Sequence, residues 1–174
     1  MTSPTPDPRH RRSIRLETYD YAQAGAYFVT IVTQDRACLF GQASDGAVDL
    51  SEAGQMVAAA WVALPTRFPT IDLDEFVVMP NHLHGIIVLS APSPSGRSPT
   101  LGAVVGAFKS IVTVEYGRGV RSGRWPPFRG RLWQRNYYEH VIRGEAGLDR
   151  IRRYIDENPI RWELDAENPG RVVT

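Results

Sequence analysis

The chain has a single cysteine, Cys38. That excludes an internal disulfide and any multi-cysteine zinc site, and it leaves Cys38 to be expected as a small core residue. Lysine is equally scarce: Lys109 stands alone among 20 Lys and Arg residues, so arginine carries the positive charge. No apolar run approaches the length needed to cross a bilayer, and the opening MTSPTPDPRHRRS lacks the apolar core of a signal peptide. A cytoplasmic protein without a membrane partner is the expectation. The phosphate-cradling pattern GxxxxGK[ST] is absent too, so nothing points to a bound nucleoside triphosphate. With 43% hydrophobic residues in 174, the chain has enough apolar material for one domain with a sizeable core.

A local absence is more telling than the net charge of +1. Between Tyr116 and Tyr138 there is no acid, only Arg118, Arg121, Arg124, Arg129, Arg131 and Arg135, with Trp125, Phe128, Trp133 and Gln134 among them. A second basic cluster contains Arg9, Arg11, Arg12 and Arg15. Arginine mixed with aromatics grips phosphates and stacks on unpaired bases. A solvated loop in an arginine-rich proteome would look the same. Arg12, Arg15, the six loop arginines, Trp125, Gln134 and Lys109 are therefore the candidate nucleic-acid contacts.

The periodicity predicts a strand over 26–33 and a helix from the N-cap Ser51 to about Leu64. A hairpin of strands over 73–79 and 82–89 should turn at Pro80-Asn81. A flexible loop over 91–99 should lead to a helix over about 100–116. A strand over 137–142 and a last helix over 146–158, buried through Leu148, Ile151 and Ile155 and stopped by Pro159, complete the order. This is an α+β chain of the ferredoxin-like split βαβ type, an antiparallel sheet with an added C-terminal helix. Residues 1–12 read as a flexible arm, 13–162 as the single domain and 163–174 as a frayed tail.

The chemistry concentrates in MPNHLHGIIVL, residues 79–89. A strand sends alternate side chains to one face, so His82 and His84 converge. A rigid pair of imidazoles suits a divalent metal, and two satisfied polar residues at a strand entrance would have the same spacing. On the last helix Tyr154 and Asn158 lie one turn apart. If that helix packs beside the hairpin, Asn158 can offer an amide oxygen as a third metal ligand while Tyr154 presents a phenol. Read singly, Tyr154 could be a half-buried core tyrosine and Asn158 a helix cap.

NHLHGIIVL, GAFKS, LWQRNYYEHVIR and IRRYIDENPIRW, in this order and spacing, resemble the single-tyrosine transposases of the HUH nuclease group. The REP-associated tyrosine transposases resemble the chain further, through RRSIRLETYDYAQAGAYFVTIVT near its N-terminus. The resemblance implies a ferredoxin-like domain that cuts and rejoins single-stranded DNA at hairpin-forming repeats. It also implies that the domain acts in the cytoplasm at the nucleoid, as a monomer or homodimer. His82 and His84 match the family's metal pair, for Mg2+ or Mn2+. Tyr154 matches the nucleophile that forms a 5′-phosphotyrosine, and Asn158 stands where other members use a glutamine ligand. Tyr137 and Tyr138 are the rival nucleophiles, but their place on a strand beside Trp133 and Gln134 suits DNA contact or packing better. A non-catalytic nucleic-acid-binding domain and a phosphodiesterase that uses water are the competing functions.

Overall fold

The computed structural model describes residues 24–91 and 98–171. The expected N-terminal arm with Arg12, the first residues of the expected domain with Arg15, and most of the 91–99 loop lie outside the described residues. The main elements run β1 (Gly25–Val32), β2 (Gly41–Ser44), β3 (Ala47–Leu50), α1 (Glu52–Val62), α2 (Leu64–Arg67), β4 (Ile71–Val78), β5 (His82–Leu89), α3 (Leu101–Arg121), β6 (Tyr138–Ile142) and α4 (Gly144–Asp156). β4, β5, β1 and β6 form an antiparallel sheet in that spatial order, with β1 and β5 central. This is the ferredoxin-like order, with β4 and β6 as edges.

Strand alternation assigns the sheet's faces. Tyr27, Val29 and Ile31 of β1 and Leu83 and Ile87 of β5 join Trp61 of α1 and Phe108 of α3 in the larger core. The opposite face carries Phe28, Ile86 and Ile142, which pack against Ile155 with Leu148 and Ile151 beside it, the stripe expected of α4. His82 and His84 share the parity of Ile86 and so face α4. Gly85, between them and the other core, has no room for a side chain: a Cβ there would lie 2.4 Å from Cζ2 of Trp61. The register of β4 shifts between Leu73 and Phe76. The shift accompanies a bidentate pair in which Arg152 Nε and Nη2 donate to Asp74 Oδ1 and Oδ2 at 2.8 and 2.7 Å, tying α4 to the sheet edge.

The N-caps follow the sequence. Ser51 Oγ accepts from Gly54 N–H, and Thr100 Oγ1 accepts from Ala103 N–H. Four features depart from expectation. Cys38 is exposed, because it follows the surface turn at 34–36 instead of facing a core. β2 and β3 form an additional hairpin around Asp45-Gly46, both with positive φ. α3 extends to Arg121, placing Arg118 and Arg121 on a helix rather than in a loop. Residues 163–171 do not fray: a short 3-10 helix, Trp162–Leu164, returns the chain toward the sheet, and Glu167 is buried at 7% exposure.

Candidate functional site

The hairpin turn places His82 and His84 at the start of β5, both nearly sealed from solvent. Their Nε2 atoms are 3.1 Å apart, aimed at one another. Their Nδ1 atoms are engaged elsewhere. His84 Nδ1 is 2.8 Å from Thr30 Oγ1, its cross-strand neighbour on β1. His82 Nδ1 is 2.8 Å from Asn81 Oδ1. Asn81 Nδ2 donates to the carbonyls of Arg36 at 3.0 Å and Glu167 at 2.7 Å, so Oδ1 must act as the acceptor. His82 therefore carries its proton on Nδ1 and keeps a lone pair on Nε2. An outer hydrogen bond that fixes the tautomer and direction of an imidazole in this way is typical of a metal ligand.

Asn158 arrives from the turn that follows α4. It is 2% exposed, and its Oδ1 is buried without a hydrogen-bond partner. A buried amide oxygen left unpaired costs about 1–3 kcal/mol unless something binds it. Asp165, from the returning C-terminal segment, brings Oδ2 to 3.7 Å from His82 Nε2. One ligand atom from each of His82, His84 and Asp165 lies within 4.8 Å of the others. Two neutral imidazoles, an orphaned amide oxygen and a carboxylate form a mixed nitrogen and oxygen donor set that fits a divalent cation.

Burial holds the His82 imidazole below its ordinary range, against the opposing pull of Asp165 and Glu167. Burial, and then His82 itself, holds His84 well below that range. Both rings are neutral near pH 7, the form that ligates. Tyr154 shifts upward, first by burial and then by the negative charge of Asp165. A hydrogen bond from Asn158 opposes these shifts without reversing them.

Tyr154 lies on the last turn of α4, 41% exposed, its ring 5.3 Å from that of His84. Phe28 underlies this group. His84 stacks on its ring at 5.4 Å, while Tyr154 and Tyr138 meet it edge-on at 5.8 and 6.2 Å. Above these rings is an open cavity of about 640 Å³, whose lining includes His84, Tyr138, His140, Tyr154, Asn158 and Asp165. Of the two rival tyrosines, Tyr138 shares this cavity. Tyr137 packs toward the larger core, under the Lys109 ammonium.

His82, His84, Asn158 and Tyr154 are thus brought together in one place. The nucleic-acid candidates are dispersed. Lys109 Nζ donates to the carbonyls of Gln134 and Asn136 at 2.9 and 3.1 Å, fastening the segment before β6, and burial brings its pKa down to about 8. Trp133 is core, against Phe40 and Phe108, instead of an exposed stacking ring. Trp125 and Phe128 lean on Tyr116, and Trp125 fills the space left by Gly119, where a Cβ would come within 2.1 Å of the indole. Arg118 pairs with Glu115, and Arg124 stacks over Trp125 and reaches Glu52 at 4.0 Å. Arg129, Arg131 and Arg135 are exposed. The bridge Thr33–Trp133 and the bond from Gln134 N–H to Val32 C=O carry the Arg131–Arg135 segment to the end of the sheet where Val32 faces His82.

Sequence reasoning missed Asp165, Asn81 and Phe28 as parts of the site. Asn81 was legible only as a turn residue. Asp165 sits in a polar stretch with no periodicity, and no sequence signal folds that stretch back onto the sheet.

The fold and site define a ferredoxin-like α+β protein with a paired-histidine centre and a tyrosine on the helix above it. Solved structures share this architecture. A REP-associated tyrosine transposase bound to a REP hairpin matches 85% of this chain and 74% of its own, with a TM-score of 0.60 and 21% identity. A Deinococcus radiodurans R1 protein with a provisional transposase assignment matches 82% of this chain and 95% of its own, with a TM-score of 0.50 and 18% identity. No protein-family model matches the chain. A Haemophilus influenzae strain Rd protein, itself uncharacterised, is 39% identical over 175 aligned positions, which cover 90% of this chain and 92% of the relative. The chain belongs to one family with that protein. Among the described residues no helix is long and apolar enough to cross a membrane.

Proposed function

We propose that this protein is a metal-dependent single-tyrosine transposase that cleaves and rejoins single-stranded DNA at hairpin-forming repeats. The observation that carries this reading is the meeting of the two histidine Nε2 atoms, 3.1 Å apart, and the orphaned Asn158 Oδ1 beside the exposed phenol of Tyr154. The neighbouring structure with a REP hairpin supports hairpin DNA as the substrate, and the motif resemblance supports the nuclease class. The DNA-acting place in the cytoplasm follows from the same reading.

His82, His84 and Asn158, with Asp165, would hold Mg2+ or Mn2+. When bound, such an ion supplies positive charge against the non-bridging oxygens of a phosphodiester. The chain's own residues do the rest. Thr30 and Asn81 hold the imidazoles in direction, and Phe28 fixes the ring of Tyr154 over His84. Tyr154 Oη attacks the phosphorus: the Oη–P bond forms and the P–O3′ bond breaks. The phenolic proton leaves to solvent through the open cavity, and the 3′-oxygen departs as a hydroxyl after taking a proton. The 5′-phosphotyrosine conserves one phosphodiester bond for another, so an incoming 3′-hydroxyl reverses the step without a nucleotide cofactor. Arg131 and Arg135, at the sheet end beside His82, meet the backbone of the strand.

The test is incubation of the protein with a labelled DNA hairpin from the repeats flanking its gene, with Mg2+ or Mn2+, followed by a denaturing gel. A protein-linked label that chelator abolishes supports the reading. Cleavage without a covalent product would assign the site to hydrolysis by water, and binding without cleavage would make the protein a non-catalytic DNA binder.

A further inference from the structure

The β6 edge strand presents an aromatic surface that the cleavage step leaves unused. Tyr138 is 51% exposed, a large ring at the rim of the cavity, while neighbouring Val141 and Ile142 are packed away. Its position follows from register. Tyr138 pairs with Thr30, and Thr30 pairs with His84, so the three occupy one row across the sheet. The next row aligns Ile86, Phe28 and His140. Tyr138 is thus two strand spacings from His84, about 10 Å along the row.

The geometry between them suits a flat, aromatic occupant. Phe28 is a floor 5% exposed, and the rings of Tyr138 and Tyr154 stand on it at interplanar angles of 68° and 85°. His140, exposed and in the Phe28 row, lines the same cavity and adds a polar edge. We propose that Tyr138, over Phe28 and beside His140, is a stacking subsite for the nucleobase adjoining the phosphate held at the histidine pair. The proposal rests on the reading of this site as a single-stranded DNA nuclease. It gives Tyr138 a positioning role through its ring, distinct from the nucleophilic role of the Tyr154 hydroxyl. A base seated there draws its phosphate toward the imidazoles and excludes paired DNA, whose bases are already stacked.

The experiment uses the full chain and the flanking-repeat hairpin, with 2-aminopurine placed in turn at each single-stranded position. Stacking quenches its fluorescence. Wild type and Tyr138→Phe should quench the probe at one position, next to the cleaved bond, and bind alike. Tyr138→Ala should lose that quenching and weaken single-strand binding by about ten- to a hundred-fold, the range expected from one base–aromatic stack. Tyr138→Trp should restore both. The exposed ring leaves the fold intact on truncation, which melting curves verify. Equal quenching in Tyr138→Ala, or a loss in Tyr138→Phe as large as in Tyr138→Ala, would overturn the subsite. Covalent adduct formation with quenching unchanged by Tyr138→Ala sinks the subsite alone. Quenching that depends on Tyr138, with no adduct in wild type, sinks the nuclease reading and leaves the subsite standing.

Discussion

Removing the Asn81 side chain should damage both the fold and the metal centre, by different amounts in two different variants. Asn81 is fully buried and makes three hydrogen bonds: to the carbonyls of Arg36 and Glu167, and from His82 Nδ1. Asn81→Ala strands all three groups. At about 1–3 kcal/mol per unsatisfied buried group, with the second lone pair of each carbonyl softening its loss, folding should lose about 3–5 kcal/mol. His82 is also freed to turn or switch tautomer, and loss of such an outer partner weakens metal binding by about 10- to 100-fold. Asn81→Asp separates the effects. Its carboxylate still accepts from His82 Nδ1 but donates nothing to the two carbonyls, so stability should fall while metal affinity stays closer to wild type. Urea unfolding of the metal-free protein and calorimetric titration with Mn2+ measure the two quantities. Asn81→Ala with Mn2+ affinity unchanged, or with a stability loss below about 1 kcal/mol, would refute the reasoning.

Gly85→Ala forces a methyl against the buried Trp61 indole, at 2.4 Å from Cζ2, and should destabilise the fold by about 1–3 kcal/mol with a shift in tryptophan fluorescence; unchanged unfolding would mean that Trp61 moves freely. The pH dependence has a definite sign. Burial keeps both site histidines below the ordinary 6.5, so just below that pH the unfolded chain binds more protons than the folded one, and stability falls as pH falls through the window. Mn2+ affinity should therefore be flat from pH 8 down to about 6.5 and decline only below it, and a midpoint above 7 would contradict the burial argument.

Much of this was legible because local and global signals agreed. Ser51 caps its helix, Leu148, Ile151 and Ile155 form the buried stripe of α4, and alternation alone puts His82 and His84 on one face. The β2–β3 hairpin carried a readable signal in Asp45-Gly46, the pair favoured where both central residues need positive φ. The aromatic loop misled because composition does not say which way a ring points: Trp133 found partners in Phe40 and Phe108, far away in sequence, and Trp125 folded back on Tyr116. The role of the C-terminal segment was illegible for a related reason. Glu167 is fixed by long-range bonds from Asn81 and Arg36, and Asp165 meets His82 across a similar distance in sequence, neither through any pattern of its own.

The central claim, that Tyr154 attacks DNA, can be read directly from the covalent product. Trypsin should release residues 154–161 as a peptide with Tyr154 as its only tyrosine, while Tyr137 and Tyr138 fall together in residues 136–143. Protein reacted with the flanking-repeat hairpin and Mn2+, digested with nuclease and trypsin, should carry a nucleotide mass on 154–161 and nowhere else, and Tyr154→Phe should carry none. A nucleotide on 136–143, or adduct that persists in Tyr154→Phe, would contradict the account.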